Sequence, residues 1–136
     1  MTDTPKQQPK QTTTVRDLKV LCVEDEHFIG ELYERALSKA GYTVKLIYDG
    51  LQGLEEAKTD LYDIILLDIM VPSLKGTEIL KRLRSEVPSL HGKVIITTNL
   101  DQGEETRAEV EKLADGYIIK ADVTPKELVG LLQVMH

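Results

Sequence analysis

Residues 64–88, IILLDIMVPSLKGTEILKRLRSEVP, contain one strand-to-helix unit. Ile64 to Leu67 is a nearly continuous apolar run, as expected of a strand covered on both faces. It runs into Asp68, and Val71-Pro72 marks a turn. Ile79, Leu80, Leu83 and Val87 then recur at helical spacing until Pro88 ends the pattern.

Working outward, short apolar runs alternate with helix-length amphipathic segments five times. That alternation is the signature of βα units and a parallel sheet. Val20 to Val23, Val94 to Ile96 and Tyr117 to Ile119 resemble Ile64 to Leu67, and all four are expected at or near the sheet interior. Thr43-Val44-Lys45-Leu46-Ile47 instead alternates and carries a lysine mid-run, which discourages edge-to-edge pairing, so it is the expected edge strand. A first helix over about 26–40 should turn Phe28, Ile29, Leu32, Ala36, Leu37 and Ala40 inward and stop at Gly41. Asp49 should cap a second with Leu51, Leu54 and Ala57 inward. The last should open on a capping box, Thr124-Pro125-Lys126-Glu127, and bury Leu128, Leu131, Leu132 and Met135. The fourth, about 102–114, offers only Ala108, Val110, Leu113 and Ala114 among many charges. Weak anchoring of that kind lets a segment shift between two packings at small cost.

The 136 residues, 41% apolar and 29% charged, suit one soluble domain. No run approaches the roughly 18 apolar residues of a membrane span, and the amino terminus lacks the apolar stretch of a signal peptide. The one cysteine, Cys22, cannot form an internal disulfide, which makes a reducing cytoplasm the expected compartment. A net charge of −6 argues against direct nucleic-acid binding. Residues 1–16 carry Lys6, Lys10 and Arg16 against Asp3 and almost no apolar side chains, and are expected to form a flexible tail before a domain at 17–136. The negative charge therefore lies in the domain.

Ligands in open parallel sheets bind outside the carboxyl ends of the strands. There the first strand meets Glu24-Asp25-Glu26, the third Asp68, the fourth Thr97-Thr98-Asn99 and the fifth Lys120. Acids gathered from two adjacent strands raise each other's pKa unless a cation neutralises them. Oxygen donors suit Mg²⁺, and the absence of a Cys/His cluster argues against zinc. A cation, an ammonium and a hydroxyl together can hold a phosphoryl group, with Asp68 as the nucleophile. Each residue also has a plainer use: Asp25 as a helix cap, Glu24 and Glu26 as first-turn acids, Asp68 in a turn, Thr98 on a loop amide, Lys120 in solvent. Their joint placement at four strand ends favours the shared pocket. His27, His91 in the loop before the fourth strand, and His136 have no Ser or Cys partner at a recognisable spacing, and no GxxxxGK[ST] or GxGxxG loop occurs. Hydrolase and nucleotide-binding readings therefore lack support.

The pattern Val23-Glu24-Asp25-Glu26, Leu66-Leu67-Asp68-Ile69-Met70-Val71-Pro72 with Gly76, then Thr98 and Lys120, resembles the receiver domain of bacterial two-component response regulators, of the single-domain chemotaxis type, over about residues 18–135. The resemblance implies a flavodoxin-like, doubly wound (βα)5 fold with strand order 2-1-3-4-5. It also implies that Asp68 accepts a phosphoryl group from a histidine kinase, phosphotransfer protein or small donor. Asp25, Asp68 and the Met70 backbone carbonyl would bind Mg²⁺, Glu24 would act through water, and Lys120 and Thr98 would hold phosphoryl oxygens. Tyr117 would be the aromatic that swings inward on activation, or else packs on the fourth helix. Phosphorylation would draw in Thr98, loosen the fourth helix and change what a downstream protein reads.

Three departures from the family stand out. Ala121 follows Lys120 where proline, often cis, is usual, so this loop should store strain or take another path. Asn99 replaces a small residue beside the phosphoryl site. Met70 and Leu100 are apolar where the family orients the hydrolytic water, which implies a long-lived phosphorylated form. The remaining alternatives are a phosphorylation-independent interaction module that kept the pocket and, more distantly, a Mg²⁺-dependent phosphatase. The chain stops after the fifth helix, so if complete it is expected to act by protein contact alone, as a switch and not an enzyme of external substrates.

Overall fold

A computed structural model of the chain describes residues 18–99 and 103–135. The tail expected over residues 1–16, together with Leu100 and His136, lies outside the described residues. The five apolar runs become parallel strands: β1 (Lys19–Val23), β2 (Thr43–Ile47), β3 (Ile64–Asp68), β4 (Lys93–Thr98) and β5 (Gly116–Ile119). Each is followed by a helix: α1 (His27–Lys39), α2 (Gly50–Ala57), α3 (Gly76–Glu86), α4 (Glu104–Leu113) and α5 (Pro125–Met135). The sheet order is β2-β1-β3-β4-β5, so the chain reverses direction across the sheet after β2.

Side-chain alternation along the strands divides the core into two layers. Leu21, Val23, Ile65, Leu67, Val94 and Ile96 meet α2, α3 and Val110 of α4. Val20, Cys22, Ile64, Leu66, Ile95 and Ile118 meet Tyr33 and Leu37 of α1 and Leu128 and Leu132 of α5. The thiol of Cys22 is fully buried, and burial pushes its pKa up, so it behaves as a small hydrophobe. β2 is an edge, as its lysine implied. The run Tyr117 to Ile119 is the opposite edge and not an interior strand, and within β5 only Ile118 is buried.

Local signals set the helix ends. Gly41 adopts φ 107°, and past it Tyr42 N–H donates to the Leu37 carbonyl at 3.0 Å while Gly41 N–H donates to Ser38 at 3.0 Å. This is the left-handed stop that glycine accepts without cost to a side chain. Gln52 N–H donates to Asp49 Oδ2 at 2.9 Å. Thr124 Oγ1 accepts from Glu127 N–H at 3.0 Å, and Thr124 N–H donates back to Glu127 Oε1 at 2.8 Å, which completes the capping box.

Some inward faces are rotated from those expected. Phe28 is 72% exposed because α1 buries Gly30, Tyr33 and Leu37, a stripe set where Gly30 lies against Leu46. Leu51 faces outward while Gly50, Gly53, Leu54 and Ala57 cover the sheet. Ala108 and Leu131 are also exposed. α4 buries only Val110, against Gly76, Ile79, Leu80 and Leu83 in α3. Its carboxyl end is tied to α3, where Arg84 donates to the Leu113 carbonyl at 2.7 Å and to Asp115 Oδ2 at 3.0 Å. No described helix is long and apolar enough to cross a membrane.

Candidate functional site

Strand register brings the carboxyl ends level. Val23 pairs with Leu67, Asp68 with Thr97, and Thr98 with Ile119. The next residues of β1 and β5, Glu24 and Lys120, therefore face Asp68 and Thr98 across one edge of the sheet. Glu24 N–H still donates to the Ile47 carbonyl at 2.9 Å, which holds its backbone in the sheet.

Glu24, Asp68 and Lys120 are 1%, 2% and 7% exposed. Lys120 Nζ donates to Glu24 Oε1 at 2.8 Å and to Asp68 Oδ2 at 3.1 Å, with Glu26 Oε1 at 3.7 Å. One ammonium thus serves three carboxylates. Burial, assisted by the charge of Asp68 and resisted by the bond to Lys120, pushes the Glu24 pKa up to about 7. The Asp25 pKa is also raised, by burial first and then by the charges of Asp68 and Glu26. Burial works to lower the Lys120 pKa, but Glu24 and Asp68 outweigh it and the lysine stays charged.

The loop after β3 is fixed by backbone contacts. Met70 N–H donates to Asp68 Oδ1 at 3.0 Å, and Gly76 N–H donates to the Ile69 carbonyl at 2.9 Å. A Cβ at Gly76 would collide with the Asp68 carbonyl oxygen and lie 2.8 Å from Ile69 Cα, so this position needs glycine to let α3 begin so close. Ser73, at φ 69°, accepts from Leu51 N–H at 3.1 Å, and Pro72 accepts from Gly50 N–H at 2.9 Å. The same loop thereby supports the start of α2.

Ligand atoms of Glu24, Asp25 and Asp68 all lie within 4.8 Å of one another. Among the described residues this is the one group of three such side chains close enough to share a metal ion. The donors are all oxygen, and their charge exceeds that of the ammonium, so the set fits a hard divalent cation such as Mg²⁺. Asp25 is not a helix cap, since Glu26 occupies that position and makes no side-chain capping bond.

Thr98 is fully buried at the end of β4, between the strands that carry Asp68 and Lys120. Tyr117 packs toward α4, with the Arg107 guanidinium carbon 4.8 Å from its ring centroid. The Met70 side chain is exposed. Lys120–Asp122 forms a 3-10 turn, and no cis peptide occurs among the described residues, so the chain after Lys120 takes the other path. His27 stacks on Tyr48 at 3.7 Å, outside the ion cluster. A hollow of about 580 Å³ between α1 and α5, lined by Leu32, Ala36 and Val129 among others, contains none of the site residues. Two contacts escaped the sequence reading: Glu24 bonds Lys120 directly, and Glu26 approaches it. The available signal was the glutamate at 24, whose extra methylene lets the carboxylate reach across the pocket.

A family model described as the response regulator receiver domain matches residues 20–133. The transcriptional regulatory protein DltR of Streptococcus agalactiae is 40% identical over 103 residues, which cover 76% of this chain and 45% of that protein. The chain thus spans about half the length of the curated relatives it matches. Among solved structures, the receiver domain of the Francisella response regulator 1452 is 28% identical with a TM-score of 0.77, covering 88% of this chain and 96% of that one. The chemotaxis response regulator CheY4 of Vibrio cholerae is 28% identical with a TM-score of 0.77, covering 88% and 98%.

Proposed function

Starting from the fact that the chain belongs to the response regulator receiver domain family of two-component signalling, we propose that it is a switch set by phosphorylation of Asp68. The observation that carries this reading is the buried cluster in which Lys120 spans Glu24 and Asp68 beside Asp25. An Asp68 carboxylate oxygen attacks the phosphorus of a phosphohistidine on a histidine kinase or phosphotransfer protein. The new O–P bond forms as the P–N bond breaks, and the departing imidazole keeps the electron pair and takes up a proton. Glu24, Asp25, Asp68 and the Met70 carbonyl would hold Mg²⁺, which when bound neutralises the crowded acids and the phosphoryl oxygens. Lys120 exchanges a carboxylate oxygen for a phosphoryl oxygen, and Thr98 donates its hydroxyl to another.

The added charge, about −2 on Asp68, then acts on what lies nearest. Thr98 is drawn inward, and α4, held by Val110 and by Arg84 at one end, is the helix that shifts. Tyr117 moves with it, leaving the face that Arg107 now covers. A complete switch requires a bias of roughly 5 kcal/mol between the two arrangements. The reader of that face is a downstream protein, and the site of action is the cytoplasm, where residues 17–136 act as the receiver and residues 1–16 as a tail. The relatives' names as transcriptional regulators fit a protein whose receiver does not itself touch DNA.

Incubation with Mg²⁺ and acetyl phosphate tests the proposal. Wild type should gain the mass of one phosphoryl group and Asp68→Asn should not. No gain with any donor would favour the phosphorylation-independent module, and turnover of added phosphate esters would favour an enzyme. Met70 bears on lifetime. An apolar side chain there leaves the hydrolytic water unoriented, so Met70→Asn should speed the decay of the phosphorylated protein, and unchanged or slower decay would count against this role.

A further inference from the structure

At the end of the sheet opposite the acidic pocket, a histidine sits between two acids. His91, just before β4, places Nδ1 at 2.7 Å from Asp60 Oδ1 and Nε2 at 3.2 Å from Asp63 Oδ1. Asp60 lies in the turn between α2 and β3, and Asp63 immediately precedes β3. The His91 backbone N–H also donates to Asp60 Oδ1, at 3.0 Å, which fixes the ring's entry. Asp63 is tied into three strands: its Oδ2 accepts from Lys19 N–H at 2.8 Å, its N–H donates to the Lys19 carbonyl at 2.8 Å, and its carbonyl accepts from Lys93 N–H at 2.9 Å.

A neutral imidazole carries one N–H and one lone pair. With a carboxylate on each nitrogen, the neutral ring would satisfy one acid and turn its lone pair on the other. Only the imidazolium donates to both. We propose that His91 is a pH-operated clasp: protonated, it ties the turn before β4 to both Asp60 and Asp63 of the segment before β3, and deprotonated, it lets go of one of the two acids. The segments it joins lead into β3 and β4, whose far ends carry Asp68 and Thr98.

Asp60 faces the ring from the α2–β3 turn and Asp63 from the start of β3. Lys19 and Lys93 start the flanking strands and are joined to Asp63 through their backbones. No further ion pair reaches the ring among the described residues. The bonds to Asp60 and then Asp63 hold the His91 pKa above its ordinary value against the opposing effect of burial. The Asp60 pKa is lowered, first by the His91 backbone N–H and then by the ring. The sign follows. A raised histidine contributes in full below its unfolded pKa, about 6.5, and that contribution disappears as pH rises through the folded value. On the acid side the clasp fails as pH falls through the lowered pKa of Asp60.

NMR of the full chain tests this by following the ring nitrogens and the His91 amide from about pH 5 to about pH 9, a range spanning the ordinary histidine value. His91 should titrate above about 6.5 with both nitrogens protonated on the acid side, and its amide should lose exchange protection as the ring loses its proton. Asp60→Asn suits the φ of 60° at that position, keeps an oxygen acceptor and removes the charge. In that variant the His91 pKa should fall. A His91 pKa at or below the ordinary value, or one that Asp60→Asn leaves in place, would overturn the clasp. Neither outcome depends on whether Asp68 is phosphorylated.

Discussion

Lys120 and His91 stand at opposite ends of one sheet, and each bridges two carboxylates that lie far from it in sequence. Lys120 joins Glu24 to Asp68, and His91 joins Asp60 to Asp63. They differ in solvent. The Lys120 side chain is 4% exposed and the His91 side chain 50%. Water screens the second cluster and weakens it, so it works as a clasp between turns. The first is stripped of water and holds more negative than positive charge, so it is poised to take up another cation or exchange one partner for another. Similar ion pairing thus yields a buried acidic pocket at one end and a half-exposed tether at the other, and burial separates them.

Removing the buried cation should give the largest effect. Lys120→Met leaves Glu24 and Asp68 facing each other out of water, and breaking a buried pair in this way costs about 3–5 kcal/mol. Urea denaturation at neutral pH without divalent ions reads this directly. A loss under about 1 kcal/mol, the range of exposed pairs, would erase the contrast between the two ends.

Mg²⁺ should sharpen the same contrast. A ligand that binds only the folded state stabilises it by about 2.7 kcal/mol at a hundredfold excess over its Kd. Wild type should show a rising melting temperature with Mg²⁺, and Asp25→Asn a much weaker response. Asp60→Asn should respond as wild type does, because the His91 cluster offers no comparable set of acids. An equal loss of response in both variants would mean the ion binds elsewhere.

Proton linkage at Glu24 comes next. Its folded pKa, about 7, lies above the ordinary carboxylate value, so the folded state holds this proton more tightly than the unfolded chain. In protein free of divalent ions, the stability linked to Glu24 is complete below about pH 4.3 and declines as pH rises through about 7. Glu24→Gln should flatten that decline in a series of denaturation curves. A slope unchanged by the substitution would assign it to another group.

Much of this was legible in the sequence because it is local. Continuous runs such as Ile64 to Leu67, the alternation around Lys45, the Asp49 cap and the Thr124–Glu127 box each depend on neighbours within a few residues. The acidic strand ends were legible for a related reason: parallel strands followed by helices put their carboxyl ends on one side. Helix facing was less so. Phe28 and Leu51 fit an apolar stripe as well as Tyr33 and Leu54 do, and only the close approach of Gly30 to Leu46 and Gly53 to Val23 decides which stripe is buried. Pairing across the chain was least legible. His91 read as a loop histidine because its acids lie 28 and 31 residues away, and the Glu24 to Lys120 bond closes a separation of 96.

The smallest expected effect separates the two ends by salt. His91→Gln removes a half-exposed ion pair and should cost no more than about 1 kcal/mol at pH 6, where the ring is charged. Raising the ionic strength to about 1 M shortens the screening length to about 3 Å, so most of that difference from wild type should vanish. At a pH above the His91 transition it should vanish without added salt, since the wild-type ring has then lost its charge as well. Lys120→Met should keep most of its cost under both conditions, because a side chain 4% exposed is screened far less than a half-exposed one. Thermal denaturation of the three proteins at two salt concentrations supplies the comparison. If salt reduced the Lys120→Met loss by the same fraction as the His91→Gln loss, the buried cluster would be open to solvent, and burial would not be what distinguishes pocket from clasp.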